Sequence, residues 1–236
     1  MQQKIHIINK VSFSYYEVYT NAQRAFSGLG FPHGADEDAA YVITWLELHK
    51  LKGIDLFCSI IKKLNKQYDC KINLLNVDKK IDLVNKSILI TGPSIIDYLV
   101  SKFILSNQDQ YSLINYQDPI FFIPLLSKLI KKRIYTKIIN KKETLCLINN
   151  ENILINNSLF NNDMNDEIKI IFSNNPNNNE ILDININLKD AEKNLSIGLN
   201  PDQKNWDKVS NLAFQTFVPE SEESRSKGAG GGDAND

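Results

Sequence analysis

Two glycine-marked stretches hold residue types suited to meeting a small anion. The first is "ITGPSIID", where Gly92 and Ser94 stand at an expected strand-to-helix turn. The first N–H groups of a helix have no intrahelical acceptor and lie at the positive end of its dipole, so a carboxylate or phosphate is stabilised there. The Ser94 hydroxyl would add a donor. The spacing is neither G-x-G-x-x-G nor G-x-x-x-x-G-K-[ST], so it specifies no nucleotide, and an ordinary turn reads the same way. The second stretch is the C-terminal "ESEESRSKGAGGGDAND". Here Ser221, Ser224 and Arg225 precede Gly228 and Gly230. A guanidinium can clamp a carboxylate or phosphate bidentately, and successive backbone N–H groups can form an anion-binding concavity. Gly228, Gly230, Gly231 and Gly232 are four of the ten glycines in a chain otherwise rich in Asn, Ile and Lys. A free tail, a contact with a second subunit and a ligand loop all remain open for this segment.

Little else in the chain names a chemistry. There is no G-x-S-x-G, H-R-D, D-F-G or C-x-x-C motif. His33, in "PHGAD", lacks H-x-x-x-H or H-E-x-x-H spacing, so no metal is expected. His49 follows Trp45 by one turn and reads as a packed or surface helix residue rather than a base. Cys58, Cys70 and Cys146 are odd in number and form no close pair, which fits a reducing, cytoplasmic setting. With 27 basic against 28 acidic residues, the chain lacks the basic excess a phosphate backbone requires, so nucleic acid is not an expected partner. The basic run "KLIKKRIYTKIINKK", Lys128 to Lys142, reads as the solvated ends of a helix and a hairpin, or as a partner surface. The apolar run "PIFFIPLLSKLI" is shorter than the roughly 20 residues that cross a bilayer, so no membrane association is expected.

The elements that must position these residues predict an α+β class. Ser14 to Glu17 is a capping-box pattern, followed by Val18, Ala22, Ala25, Phe26 and Leu29 at helical spacing, with Gly28 and Gly30 as a stop. Asp36, Glu37 and Asp38 suit the start of a second helix, whose stripe is Ala39, Val42, Ile43, Leu46 and Lys50, ending by Gly53. A third helix carries Leu56, Phe57, Ile60, Ile61, Leu64 and Tyr68. From Lys71 the chain turns to strands: "CKINLLNV", "KIDLVN" and "SILITG", the last breaking into a helix at Gly92. "YSLINYQ" is another strand, and Asp118-Pro119 is placed to cap a helix that Pro124 would kink or shorten. "RIYTKIIN", "TLCLINN", "NILINNS", "EIKIIFS" and "ILDININL" predict a mainly antiparallel sheet. The expected organisation is one α+β domain over 1–218 (helical segment 12–68, sheet-containing segment 71–200, closing helix 205–218) and a Gly-rich tail over 219–236.

Two resemblances add to this. "VSFSYYEVYTNAQRAFSGLGFPHGADEDAAYVITWLELHKLKGIDL", "ITGPSIIDYL" and the closing "WDKVSNLAFQTFVPESEESRSKGAGGGDAND" resemble an uncharacterised bacterial family, a domain of unknown function, along the length of the chain. The first stretch is also similar to the N-terminal helices of the malate/L-lactate dehydrogenase family that lacks a Rossmann fold, which reduces 2-oxo acids with NAD(P)H. That family carries a glycine shortly after a D/E-D-A helix, then an Asp followed by Ser-His-Gly, whose histidine is the proposed proton donor. Gly53 and Asp55 match, but Leu56, Phe57 and Cys58 follow. The resemblance therefore implies a shared helical hairpin without the catalytic pair. The expected function is an accessory or small-molecule-binding protein, with a small anionic ligand or a second copy of the chain as partner. The alternative is an enzyme acting on a small anionic metabolite.

Overall fold

A computed structural model describes residues 12–75, 80–141, 143–160, 167–176 and 180–216. The first helix, α1 (Tyr15–Gly28), starts at the expected capping box: the Glu17 carboxylate accepts from the Ser14 N–H at 2.7 Å, and the Ser14 hydroxyl accepts from the Glu17 N–H at 3.1 Å. Gly30, at φ 90°, turns the chain away. Helix α2 (Ala35–Leu48) is tied to α1 through buried Asp36, whose carboxylate accepts from the Ser27 hydroxyl at 2.6 Å and the Glu37 N–H at 2.8 Å. The sequence marks one buried side on α2. In fact Ala40, Thr44, Trp45 and Leu48 are buried together with Ala39, Val42, Ile43 and Leu46, because other elements enclose the helix.

Gly53 does more than end a pattern. It is the first residue of α3 (Gly53–Leu64) and packs so close to α2 that a Cβ there would lie 2.0 Å from the Ile43 carbonyl oxygen. Glu47 bridges the same junction by accepting from the Ile54 N–H at 3.0 Å. Phe57 on α3 stacks on Phe26 of α1, ring centroids 4.2 Å apart. Helices α1 and α3 pack with α7 (Gln203–Phe214), which begins two residues before the expected closing helix. The short helix α6 (Asp190–Ile197) escapes the sequence pattern because it is mostly exposed; it buries Asn194, which donates to the Leu48 carbonyl at 3.0 Å.

The sheet has eight strands among the described residues: β1 (Asn73–Leu75), β2 (Lys80–Ser87), β3 (Gln110–Gln117), β4 (Tyr135–Ile139), β5 (Thr144–Ile148), β6 (Asn152–Ile155), β7 (Ile168–Ser173) and β8 (Ile184–Asn187). Their spatial order is β1-β2-β3-β7-β4-β5-β6-β8. Pairing is antiparallel except between β2 and β3, which run parallel on either side of α4 (Ile88–Ser106). The α+β class holds, with one hydrophobic cluster running from Val18 on α1 to Ala213 on α7.

The main local departure is at "SILITG". It is not a strand ending at Gly92: Ser87 closes β2 and caps α4, which then runs nineteen residues with Pro93 inside it. Ile88, Leu89, Ile90, Ile95, Ile96, Leu99 and Val100 are all buried, so the segment is apolar over most of its circumference and shows no period to tell a strand from a helix. Pro93 removes one backbone bond, to the Leu89 carbonyl, without ending the helix. By length and composition α4 could cross a membrane, but half of that window is buried against this chain's own core. Asp118 also departs from expectation. It is buried in a left-handed conformation, φ 59°, and its side chain caps nothing; a 3-10 turn (Pro119–Phe121) leads into the six-residue α5 (Phe122–Ser127) and a second 3-10 turn (Lys128–Lys132).

Candidate functional site

Helical spacing sets Asp38, Tyr41, Trp45 and His49 at steps of three, four and four residues, one above another along α2. Facing them is the chain that leaves α5. Pro124 lies in the first turn of that helix, and its carbonyl accepts from the Ser127 hydroxyl at 2.8 Å and from the Tyr41 hydroxyl at 3.5 Å. The following 3-10 turn then carries Lys128 back over α2, its Nζ 3.9 Å from the centre of the Tyr41 ring. Trp45, 7% exposed, lies against His49 with ring centroids 4.0 Å apart and the planes tilted by 41°.

Tyr41, Trp45, Ser127, Lys128, Lys131 and Leu188 line a cavity of about 600 Å³, within the size range of small-molecule sites. Lys128 also lines a second lobe of about 310 Å³ with Asp38, Pro93, Asp97 and Lys132. The first has lysines and no carboxylate in its lining, whereas the second sets Asp38 and Asp97 against Lys128 and Lys132. Burial raises the Asp38 carboxyl, Lys128 opposes the shift and Asp97 adds to it. Burial pushes the Tyr41 hydroxyl up to about 12, so it stays a neutral donor at pH 7. Burial likewise drives the His49 imidazole down to about 4, against the pull of Asp190, and keeps the ring neutral.

The anion geometry expected at Gly92 and Ser94 is not found there. Gly92 lies inside α4, where a Cβ would meet Ile88 Cγ2 and Leu125 Cδ1, each at 2.7 Å, and Ser94 is exposed on the second turn. The helix start is five residues earlier, at Ser87, whose hydroxyl accepts from the Leu89 N–H at 3.4 Å. That helix start faces a separate cavity of about 550 Å³ lined by Lys62, Lys63, Gln67 and Ser87. Val84 and Asn85, both at positive φ, bulge β2 at its rim, held by Asp82, which accepts from the Val84 N–H at 2.8 Å and the Asn115 amide at 2.9 Å. Asp118 lies behind it. Burial raises its carboxyl; the Ser87 hydroxyl and Lys63 oppose that shift, though no described residue makes a normal hydrogen bond to it.

Ser221, Ser224, Arg225, Gly228 and Gly230 lie outside the described residues, as do Phe217 and Val218 of the expected closing helix. Sequence reasoning missed Tyr41, Trp45, Lys128 and Lys131 as one site. The available signals were the i, i+4 aromatic pair beside the α2 stripe and the start of the basic run.

Asp55, Leu56, Phe57 and Cys58, the positions that correspond to Asp-Ser-His-Gly, are in structural use. The Asp55 carboxylate accepts from the Asn205 amide at 2.8 Å, the Cys58 thiol donates to the Asn205 carbonyl at 3.3 Å, and Phe57 is fully buried. These contacts fasten α3 to α7 and α1.

Residues 13–87 match the family described as "Protein of unknown function (DUF3726)". Comparison with curated proteins gives no match. Among solved structures, a dehydrogenase from Sinorhizobium meliloti superposes with a TM-score of 0.61 at 8% identity, over 86% of this chain and 99% of that one. Malate dehydrogenase from Pyrococcus horikoshii OT3 gives 0.59 at 8%, over 93% and 99%. Sulfolactate dehydrogenase from Methanocaldococcus jannaschii gives 0.56 at 10%, over 87% and 97%. The chain is similar to these dehydrogenases in fold.

Proposed function

We propose that the protein is a non-catalytic binding protein for a small anion, which it takes up in the cleft between α2 and the Lys128–Lys132 turn. The observation that carries this reading is the convergence of Lys128 and Lys131 on the aromatic wall of Tyr41 and Trp45. Neither lysine forms an ion pair with a described residue. Both lysines are exposed, and two ammonium groups three residues apart on one turn add their attraction for an anion. The dehydrogenase-like fold supports a ligand-binding role, while Phe57 stands in the core where the resemblance would place a histidine.

The test is a thermal-shift screen against 2-oxo acids, aromatic carboxylates, nucleotides and nicotinamide cofactors. A true ligand at one hundred times its Kd adds about 2.7 kcal/mol of stability. The shift should disappear in a Lys128→Gln/Lys131→Gln double variant. No shift with any anion, or a shift the double variant retains, would remove this reading. Oxidation of NAD(P)H dependent on a 2-oxo acid would instead favour an enzyme acting on a small anionic metabolite.

A further inference from the structure

We propose that the cavity at the start of α4 binds a small phosphate monoester and that Asp118 takes up a proton as it does so. This site is separate from the α2 cleft and does not rest on the reading above. The cavity, of about 550 Å³, is lined by Lys62 and Lys63 of α3, Lys86 and Ser87 of β2, Gln67 and Gln117, with no carboxylate in the lining. Lys62 and Lys63 form no ion pair with a described residue, whereas Lys86 is held by Asp69. Ser87 caps the nineteen-residue α4, so the positive end of a long helix adds to the ammonium groups. A phosphate ester carries a charge of about −1.5 to −2 at pH 7 and three acceptor oxygens, so it gains more from such a cluster than a carboxylate does. The two glutamine amides offer hydrogen bonds to a polar body beyond the phosphate.

Behind this wall lies an unsatisfied acid. Asp118 is 2% exposed, and neither of its carboxylate oxygens receives a normal hydrogen bond from a described residue. Its carboxyl faces Ser87 and Lys63, two residues of the cavity lining. A buried carboxylate without hydrogen bonds is costly while ionised, and burial raises this one accordingly. Lys63 of α3 is the described charged group that acts on it, and the Ser87 hydroxyl is the neutral one. An anion seated on Lys63 draws that ammonium away from Asp118 and sets a like charge beside it. Both changes favour the protonated carboxyl, so the two events are linked. Lys63 thus neutralises Asp118 in the free protein and the phosphate in the bound one.

Calorimetry with glycerol 3-phosphate, inorganic phosphate and lactate tests this in two buffers of different ionisation enthalpy. At pH 7 the ester is already about nine-tenths dianion, so net proton uptake on binding belongs to the protein. The expected result is that glycerol 3-phosphate binds about tenfold tighter than lactate, no weaker than inorganic phosphate, and with proton uptake. Lys63→Gln, an exposed change, should weaken it about fivefold. Asp118→Asn, which suits the left-handed backbone at φ 59°, should abolish the uptake and tighten binding about threefold. That advantage should shrink as pH falls from 8 to 5, where the parent's acid is protonated beforehand. The uptake is read on the parent and needs neither variant to fold. Equal affinity for lactate would overturn the phosphate, and tighter binding of inorganic phosphate would overturn the ester. Binding without uptake, or uptake that Asp118→Asn retains, would overturn the part given to Asp118. Silence from all three probes, or binding lost in Lys128→Gln/Lys131→Gln and kept in Lys63→Gln, would remove the site.

Discussion

Returning a histidine to position 57 tests whether the resemblance to the dehydrogenases carries chemistry or only shape. Phe57 is fully buried and stacks on Phe26 at 4.2 Å. Phe57→His forfeits much of the burial gain of a phenyl ring, weakens the stack and leaves ring nitrogens without partners, a loss of about 3–5 kcal/mol. That is a large share of a domain's usual stability of about 5–15 kcal/mol. With a urea slope of about 2–3 kcal/mol per molar, the unfolding midpoint should fall by about 1–2 M at pH 7.5. It should fall further below pH 6.5, where an unfolded histidine gains a proton that the buried one resists. Phe57→Leu, which keeps the site apolar, should lose about 1–1.5 kcal/mol and show little of this pH dependence. Neither variant should oxidise NAD(P)H with a 2-oxo acid. A Phe57→His protein within 1 kcal/mol of the parent, or one that gains 2-oxo acid reduction, would refute the claim that this position has become core.

Two further predictions use neighbouring features. Gly53→Ala drives a Cβ to 2.0 Å from the Ile43 carbonyl oxygen, a backbone clash that no rotamer relieves, and should cost more than about 3 kcal/mol by urea unfolding. Gly92→Ala places a Cβ 2.7 Å from Leu125 Cδ1 and from Cγ2 of buried, branched Ile88, a side-chain clash that outweighs about 1 kcal/mol of helix propensity, so it should cost about 1–2 kcal/mol, less than Gly53→Ala. If Gly53→Ala proved the milder of the two, the close approach of α3 to α2 would be misjudged. His49 is held neutral to about pH 4 when folded, whereas the unfolded chain takes up the proton near pH 6.5. Its contribution to stability is therefore complete above pH 6.5 and is lost as pH falls towards 4, by up to about 3 kcal/mol. His49→Gln should flatten that part of the stability-against-pH curve, and an unchanged slope would assign the loss to the carboxylates.

The elements recovered from sequence are those whose pattern is local. The Ser14 and Glu17 capping box, the stripe of α1, the Gly30 turn and the β4-β5-β6 run all depend on residues a few positions apart, and each has a period or a stop signal that only one local structure satisfies. The substitution of Leu56 and Phe57 for Ser-His was legible too, since it depends on residue type alone. Where environment rather than spacing decides, the sequence was ambiguous. Ile88 to Ile96 could be strand or helix, and burial by α2, α5 and the sheet made it helix, moving the free helix start from Gly92 to Ser87. The insertion of β7 between β3 and β4 depends on partners distant in the chain, which no local period encodes. The same holds for the candidate site. Tyr41 and Trp45 meet Lys128 and Lys131 in one cavity across more than eighty residues, and only the packing of α5 on α2 brings Lys128 over the Tyr41 ring.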